Sequence, residues 1–272
     1  MKKSLCITTD DVGINIPLAL LKGTCKEKIE KAKLFGYDAV ELLPAVPASI
    51  NLIELKENLI NNNIKVSAIG SGAIRNVCGL TLIAPGKDER NAAIKRLNEL
   101  IYLASDIEAP VVTVGNFRGR IDNSGEEDGK KILLDILDQA SDIALKQGVR
   151  IALEPINRYE TDFLFTAIET LEFIKNINKK NLGILLDTFH INIEENSFTE
   201  CFFQADKEKK LFHVHIGSNN RLPPGRGHID FRIIMDTLKT IKYKGYISAE
   251  LLTKTSPDET AIETIKYLNM YA

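Results

Sequence analysis

The sequence predicts a (β/α)8 TIM barrel, an α/β fold, in a single domain spanning residues 1–272. Three observations predict it. Short apolar runs alternate eight times with longer stretches of helical period, with no long structureless gap between them. The length of 272 residues is close to that of one such barrel. A helix, a glycine and a strand ending in glutamate recur three times, at Gly36–Glu41, Gly148–Glu154 and Gly245–Glu250, as a repeated βα unit would leave them.

The expected strands are Leu5–Thr8, Ala39–Leu43, Lys65–Ile69, Val111–Gly115, Arg150–Glu154, Leu182–Asp187, Leu211–Ile216 and Tyr246–Leu251. They are short, often β-branched and apolar on both faces, as parallel strands covered by helices should be. After the first strand, Thr24 with Glu27 forms a capping box that opens a helix, and Gly36 stops it. Gly70-Ser71-Gly72, after the third strand, reads as a tight turn near the pocket. Ile94, Leu97, Ile101 and Ala104 share one face of the next helix, and Ile132 or Leu133, Ile136, Ala140 and Ile143 share a face of the one after. Gly148 stops that helix, and Thr166 with Glu169 opens another. His228 precedes a helix start at Asp230, and Gly245 is placed as the stop before the last strand. Ser256 with Glu259, and Pro257 at the first helical position, open the final helix. An open doubly wound sheet would carry a glycine-rich phosphate loop after its first strand. Thr8-Thr9-Asp10-Asp11-Val12-Gly13 is not one.

Composition excludes several functions. A formal net charge of -2 gives no reason to expect nucleic acid or an anionic membrane as partner. Cys6, Cys25, Cys78 and Cys201 form no short-spaced pair, so neither a disulfide framework nor a cysteine zinc site is expected. Asp10 and Asp11 cut the first apolar run too short for a signal peptide, and no run approaches the ~20 apolar residues of a membrane span. A cytoplasmic protein is expected.

Chemistry enters at the strand ends. In an α/β barrel the side chains at the C-terminal ends of the strands converge on one site. Four consecutive strands finish there in a hard ligand: Glu154, Asp187, His215 and Glu250. One such residue is ordinarily a rim salt bridge or a packed histidine; four in succession are not. Three carboxylates and one imidazole suit a single divalent cation, Mn²⁺ first, with Mg²⁺, Co²⁺ or Zn²⁺ as alternatives. They leave room for substrate oxygens on the ion. Glu41, from the second strand, either lines this site or forms a rim salt bridge. His213 is expected to point away from His215 and to be structural or to back the ligands. Arg118, in Asn116-Phe117-Arg118-Gly119-Arg120 after the fourth strand, is a candidate substrate-binding residue. Arginine forks match phosphate or carboxylate oxygens. With Arg221 and Arg226 it would favour an anionic sugar, unless these arginines pair with rim acids such as Asp122 or Glu126.

Four motifs carry a resemblance: LEPINRYE at 153–160, LDTFHINIEE at 186–195, HVHIGSNNR at 213–221 and PPGRGHIDF at 223–231. Together they resemble the xylose isomerase-like barrel superfamily, most closely its ketose 3-epimerase and keto-sugar 4-epimerase branches. The likeness is strong over residues 153–272 and purely architectural before them. It implies Glu154, Asp187, His215 and Glu250 as metal ligands, and Glu160 as a substrate-binding carboxylate. It implies that His190 and Arg221 hold substrate hydroxyls, and that Glu154 and Glu250 move protons on opposite faces of the sugar. The implied activity inverts a carbon next to a carbonyl, C3 or C4 of a keto-sugar, through a metal-stabilised enediolate. The implied partner is a small-molecule sugar, in a homo-oligomer such as a dimer or tetramer. Ser218 departs from the acidic residue that several ketose epimerases carry there, which leaves the sugar open.

The same site would serve an aldose–ketose isomerase, or a dehydratase or lyase acting on polyols or keto-glycosides. An abasic-site endonuclease shares the barrel but spreads zinc-binding histidines along the chain, whereas His190, His213, His215 and His228 all lie in its last third. A sugar-binding barrel without catalysis would not need both Glu154 and Glu250.

Overall fold

Every apolar run expected to be a strand is one, and the eight close on themselves. The computed structural model describes residues 1–121 and 126–271. Its strands are β1 (Lys2–Thr8), β2 (Ala39–Leu43), β3 (Lys65–Gly70), β4 (Val111–Val114), β5 (Arg150–Leu153), β6 (Leu182–Asp187), β7 (Leu211–Ile216) and β8 (Tyr246–Ala249). They pair in sequence order as a closed, parallel barrel, with β1 sealing against β8 from Lys2–Tyr246 to Leu5–Ala249. Around them, among the described residues, run α1 (Cys25–Phe35), α2 (Leu52–Asn61), α3 (Gly72–Cys78), α4 (Lys87–Asp106), α5 (Glu126–Lys146), α6 (Ala167–Lys175), α7 (Thr188–Glu194), α8 (Glu200–Lys207), α9 (Phe231–Thr240) and α10 (Pro257–Asn269). None of these helices is long and apolar enough to cross a membrane.

The main core lies between barrel and helices. Leu5 and Ile7 of β1, Val40 and Leu42 of β2, and Leu97, Ile101 and Ala104 of α4 are fully buried there. Inside the barrel the filling is partly polar. Ser4 and Ser67 meet through their hydroxyls at 2.6 Å, and Cys6 Sγ lies 3.3 Å from Ser248 Oγ.

Local signals largely set the element ends. Thr24–Glu27 and Thr166–Glu169 are complete capping boxes, while Ser256 only accepts from the Glu259 amide. Gly36 and Gly148 take positive φ after α1 and α5. Gly245 does not. The stop after α9 is Lys242 at φ 55, and Gly245 instead yields to Tyr243, whose hydroxyl would lie 2.3 Å from a Cβ there. Three strands end one or two residues early, so Gly115, Glu154 and Glu250 lie just past the ladder. Glu154 and Glu250 are still anchored, through amides that donate to Val114 O (3.0 Å) and Ile216 O (3.3 Å). The tight turn expected after β3 is instead the start of α3, which lines the barrel mouth.

Candidate active site

The four expected ligands meet at the mouth. Asp187 ends β6, His215 is the penultimate residue of β7, and Glu154 and Glu250 follow β5 and β8. Asp187, His215 and Glu250 each offer a donor atom within 4.8 Å of the others. Glu154 closes the group: its Oε1 lies 3.9 Å from His215 Nδ1, which lies 3.7 Å from Glu250 Oε2.

Behind them, Glu41 sets the orientation. Its carboxylate, fully buried, lies 2.8 Å from His213 Nε2 and 2.9 Å from His215 Nε2. The expectation that His213 turns away from His215 therefore fails. Residues two apart on a strand share a face, and both rings point into the barrel. With Nε2–H of His215 donated to Glu41, the Nδ1 lone pair faces Glu154, Asp187 and Glu250. A carboxylate behind a ligating imidazole fixes its tautomer in this way. His215 Nδ1 and Glu154 Oε1 are both buried, and neither has a hydrogen-bond partner. Buried polar atoms are rarely left so. Two unmet polar atoms, each an acceptor once deprotonated, facing two more carboxylates fit a divalent cation.

The charges bear on the same point. Burial, helped by Glu250 and Asp187 and opposed by His215, pushes Glu154 up to about 8. Burial would pull His215 down, but Glu41 and Glu250 outweigh it and hold the imidazole well above its ordinary value. Burial works against Asp187 too, yet Arg221 and the nearby histidines keep it below its usual range.

The wider chain agrees with this geometry. Residues 29–271 match the xylose isomerase-like TIM barrel family. The chain belongs to that family. A ketose 3-epimerase from Arthrobacter globiformis is 30% identical over 243 residues, spanning 85% of this chain and 79% of the relative. A 3-dehydro-D-guloside 4-epimerase from Escherichia coli K12 is 32% identical over 121 residues, 44% of this chain and 45% of the relative. The crystal structure of a D-allulose 3-epimerase from Methylomonas sp. in complex with D-allulose superposes with a TM-score of 0.82 at 22% identity, covering 100% of this chain and 98% of that one. That likeness speaks to the fold.

In this xylose isomerase-like barrel the other predicted residues divide. Arg221, Glu160 and His190 line the same cavity as Glu154, His215 and Glu250. Arg221 holds φ 60, a left-handed backbone rare for arginine, at the end of the Ser218–Arg221 turn closed by an amide bond of 2.9 Å to Ser218 O. From there its guanidinium donates to Asp187 and to Glu250 Oε2 (2.9 Å) and stacks 4.1 Å over Phe189. His190 is tied by Asn157, whose amide Nδ2 lies 2.7 Å from Nδ1 and also donates to Glu160 at 2.9 Å. Nδ1 thus accepts, and the proton goes to Nε2, 3.9 Å from Glu154 Oε1; the Arg221 Nη2 3.2 Å away is itself a donor and cannot accept it. Burial pushes His190 down to about 4, so the ring is neutral near pH 7. The sequence reading passed over Asn157, although it stands three residues past Glu154 in LEPINRYE.

Arg118 is elsewhere. Its side chain is 0% exposed and donates to the carbonyls of Glu154, Phe163 (2.9 Å) and Leu164 (3.4 Å), over the Phe163 ring. No substrate reaches it; it staples the segment that follows β5. Arg120 pairs with Asp162 at 3.8 Å and Arg226 with Glu263. The idea of an anionic sugar loses these three arginines. The partners suggested for them do not enter: Asp122 lies outside the described residues, as does the side chain of Glu126.

Gly115 is a second residue passed over. An added Cβ would stand 2.4 Å from Glu154 Oε2, and the backbone there has φ -100, ψ -120. Gly115→Ala is expected to push the Glu154 carboxylate out of place and cut activity by about 10²-fold, since small misplacements cost that much. The fold should persist; the far-UV spectrum and kcat together check this, and an unchanged kcat would refute it.

Proposed function

We propose that the chain is a divalent-metal-dependent sugar epimerase that inverts the carbon beside the carbonyl of a keto-sugar. One observation carries the reading. Glu41 turns His215 so that its Nδ1 faces three carboxylates, two of which, Glu154 and Glu250, flank one cavity. A cation held by Glu154, Asp187, His215 and Glu250, Mn²⁺ first, would supply a fixed charge that polarises the substrate carbonyl. The acid–base work falls to the protein. Glu154 and Glu250 form the pair, one taking the proton from the carbon and the other returning one to the opposite face. His190 Nε2–H and the Arg221 guanidinium donate to substrate oxygens, and Asn157 fixes the tautomer that lets His190 do so. Glu160, held by the same amide, accepts from a sugar hydroxyl.

Ketose C3 is the first position to test, after the ketose 3-epimerase relative. C4 of a keto-glycoside is the second, after the relative at 32% identity. The experiment is a screen of keto-sugars and 3-keto-glycosides with Mn²⁺ in deuterated water, read by NMR. Deuterium is expected at the inverted carbon; a metal-loaded protein that exchanges no such proton in any keto-sugar would falsify the reading.

Metal uptake should depend on pH. Glu154, raised to about 8, holds its proton near neutrality when no ion is bound, and Glu41 and Glu250 favour a proton on His215 as well. Binding must expel them. Mn²⁺ affinity is therefore expected to climb from pH 6 to pH 8, with protons released on titration at pH 7. Calorimetry in buffers of different ionisation enthalpy checks both; a flat affinity across that range would count against this ligand set.

A further inference from the structure

The ends of β3 and β4 make the wall of the mouth across the barrel from β7 and β8, and two polar atoms there are left unmet. Ser71 is 1% exposed and stands at the N-cap of α3, where a serine ordinarily turns its hydroxyl onto the first helical amides. Here it makes no such bond, and Oγ has no partner. Asn116 follows β4, and its Oδ1 is likewise buried without a partner. It faces the Ser71–Gly72 turn, 4.0 Å from where a Cβ on Gly72 would stand. Both residues line the cavity that holds Glu154 and Glu250.

We propose that Ser71 and Asn116 bind hydroxyls at the end of the sugar remote from the reacting carbonyl. They would make the enzyme selective for a fully hydroxylated, uncharged ketose over a deoxy or phosphorylated one. The inference rests on the epimerase reading above. A hydroxyl donates to Asn116 Oδ1 and accepts from Ser71 Oγ–H; a methyl group does neither and leaves both atoms buried and unpaired. A phosphate at this wall would face carboxylates across the cavity. Arg221 is the single Arg or Lys among the cavity's lining residues, which also include Glu41, Glu154, Glu160 and Glu250.

The test compares kcat/KM of the Mn²⁺-loaded protein for a 2-ketohexose, its 5-deoxy and 6-deoxy counterparts and its 6-phosphate. The parent should prefer the full hexulose by about tenfold or more over at least one deoxy sugar, and over the phosphate. Ser71→Ala and Asn116→Leu should each shrink the deoxy preference, mainly by raising KM for the full sugar. Equal values for the full and deoxy sugars in the parent, or a preference that survives both substitutions, overturns the pocket and leaves the epimerase reading standing. A parent protein that turns over no keto-sugar removes both.

Discussion

Glu154→Gln is expected to lower kcat by at least about 10³-fold, because it removes the proposed general base and a proposed charged ligand together. The fold should survive, and without metal the variant should be the more stable protein. Burial, with Glu250 and Asp187 close by, raises Glu154 from 4.5 to about 8. A carboxyl raised in the folded state gives stability that is full below its unfolded pKa and is lost as pH climbs through the folded one. The loss therefore runs from about pH 4.5 to pH 8. At about 1.4 kcal/mol per pKa unit it reaches on the order of 5 kcal/mol. Glutamine carries no charge at any pH and escapes that loss. In chelator, the Tm of the variant should exceed the parent's by a margin that widens from pH 5 to pH 8, and Mn²⁺ should shrink or reverse it. A margin that stays constant with pH would refute the electrostatic account. A kcat within tenfold of the parent's would remove Glu154 from the reaction.

Arg118→Ala is expected to cost about 3–5 kcal/mol of folding stability, the range for breaking a buried charged network. For a chain of this size that corresponds to a fall in Tm of roughly 6–15 °C. The guanidinium remains charged near pH 7, since burial lowers it only to about 10. Removing it strands the buried carbonyls of Glu154 and Phe163, while Leu164 O keeps the Ile156 amide. Because the Glu154 carbonyl is among them, kcat should fall as well, whatever charge the substrate carries. Arg118→Met, which fills the volume without the hydrogen bonds, should lie between parent and alanine. Thermal and urea unfolding measure the effect. A Tm within 2 °C of the parent, together with a raised KM for anionic substrates alone, would return Arg118 to substrate binding.

These two predictions divide what was legible from what was not. Glu154 was legible because a parallel barrel sends the C-terminal ends of all its strands to one mouth. A strand that ends in a carboxylate announces its position with no knowledge of its neighbours. Asp187, His215 and Glu250 followed by the same rule, and the capping residues placed the helices between them. Arg118 obeyed no such rule. Its position on the rim was predicted correctly, but the direction of a long side chain depends on which carbonyls lie within its reach, and those came from residues 154–164.

By itself, then, the sequence determined the barrel, its strand order and the four side chains at its mouth, since periodicity, caps and strand ends are properties of neighbouring residues. Tertiary structure alone decided how those side chains are turned. The Glu41–His215 contact joins residues 174 positions apart, and it decides which ring nitrogen His215 presents to the acids. The unmet Ser71 and Asn116 were likewise invisible, because a polar atom lacks a partner only with respect to everything packed around it. Orientation and satisfaction are set by through-space distances of a few ångströms, and no spacing along the chain encodes them.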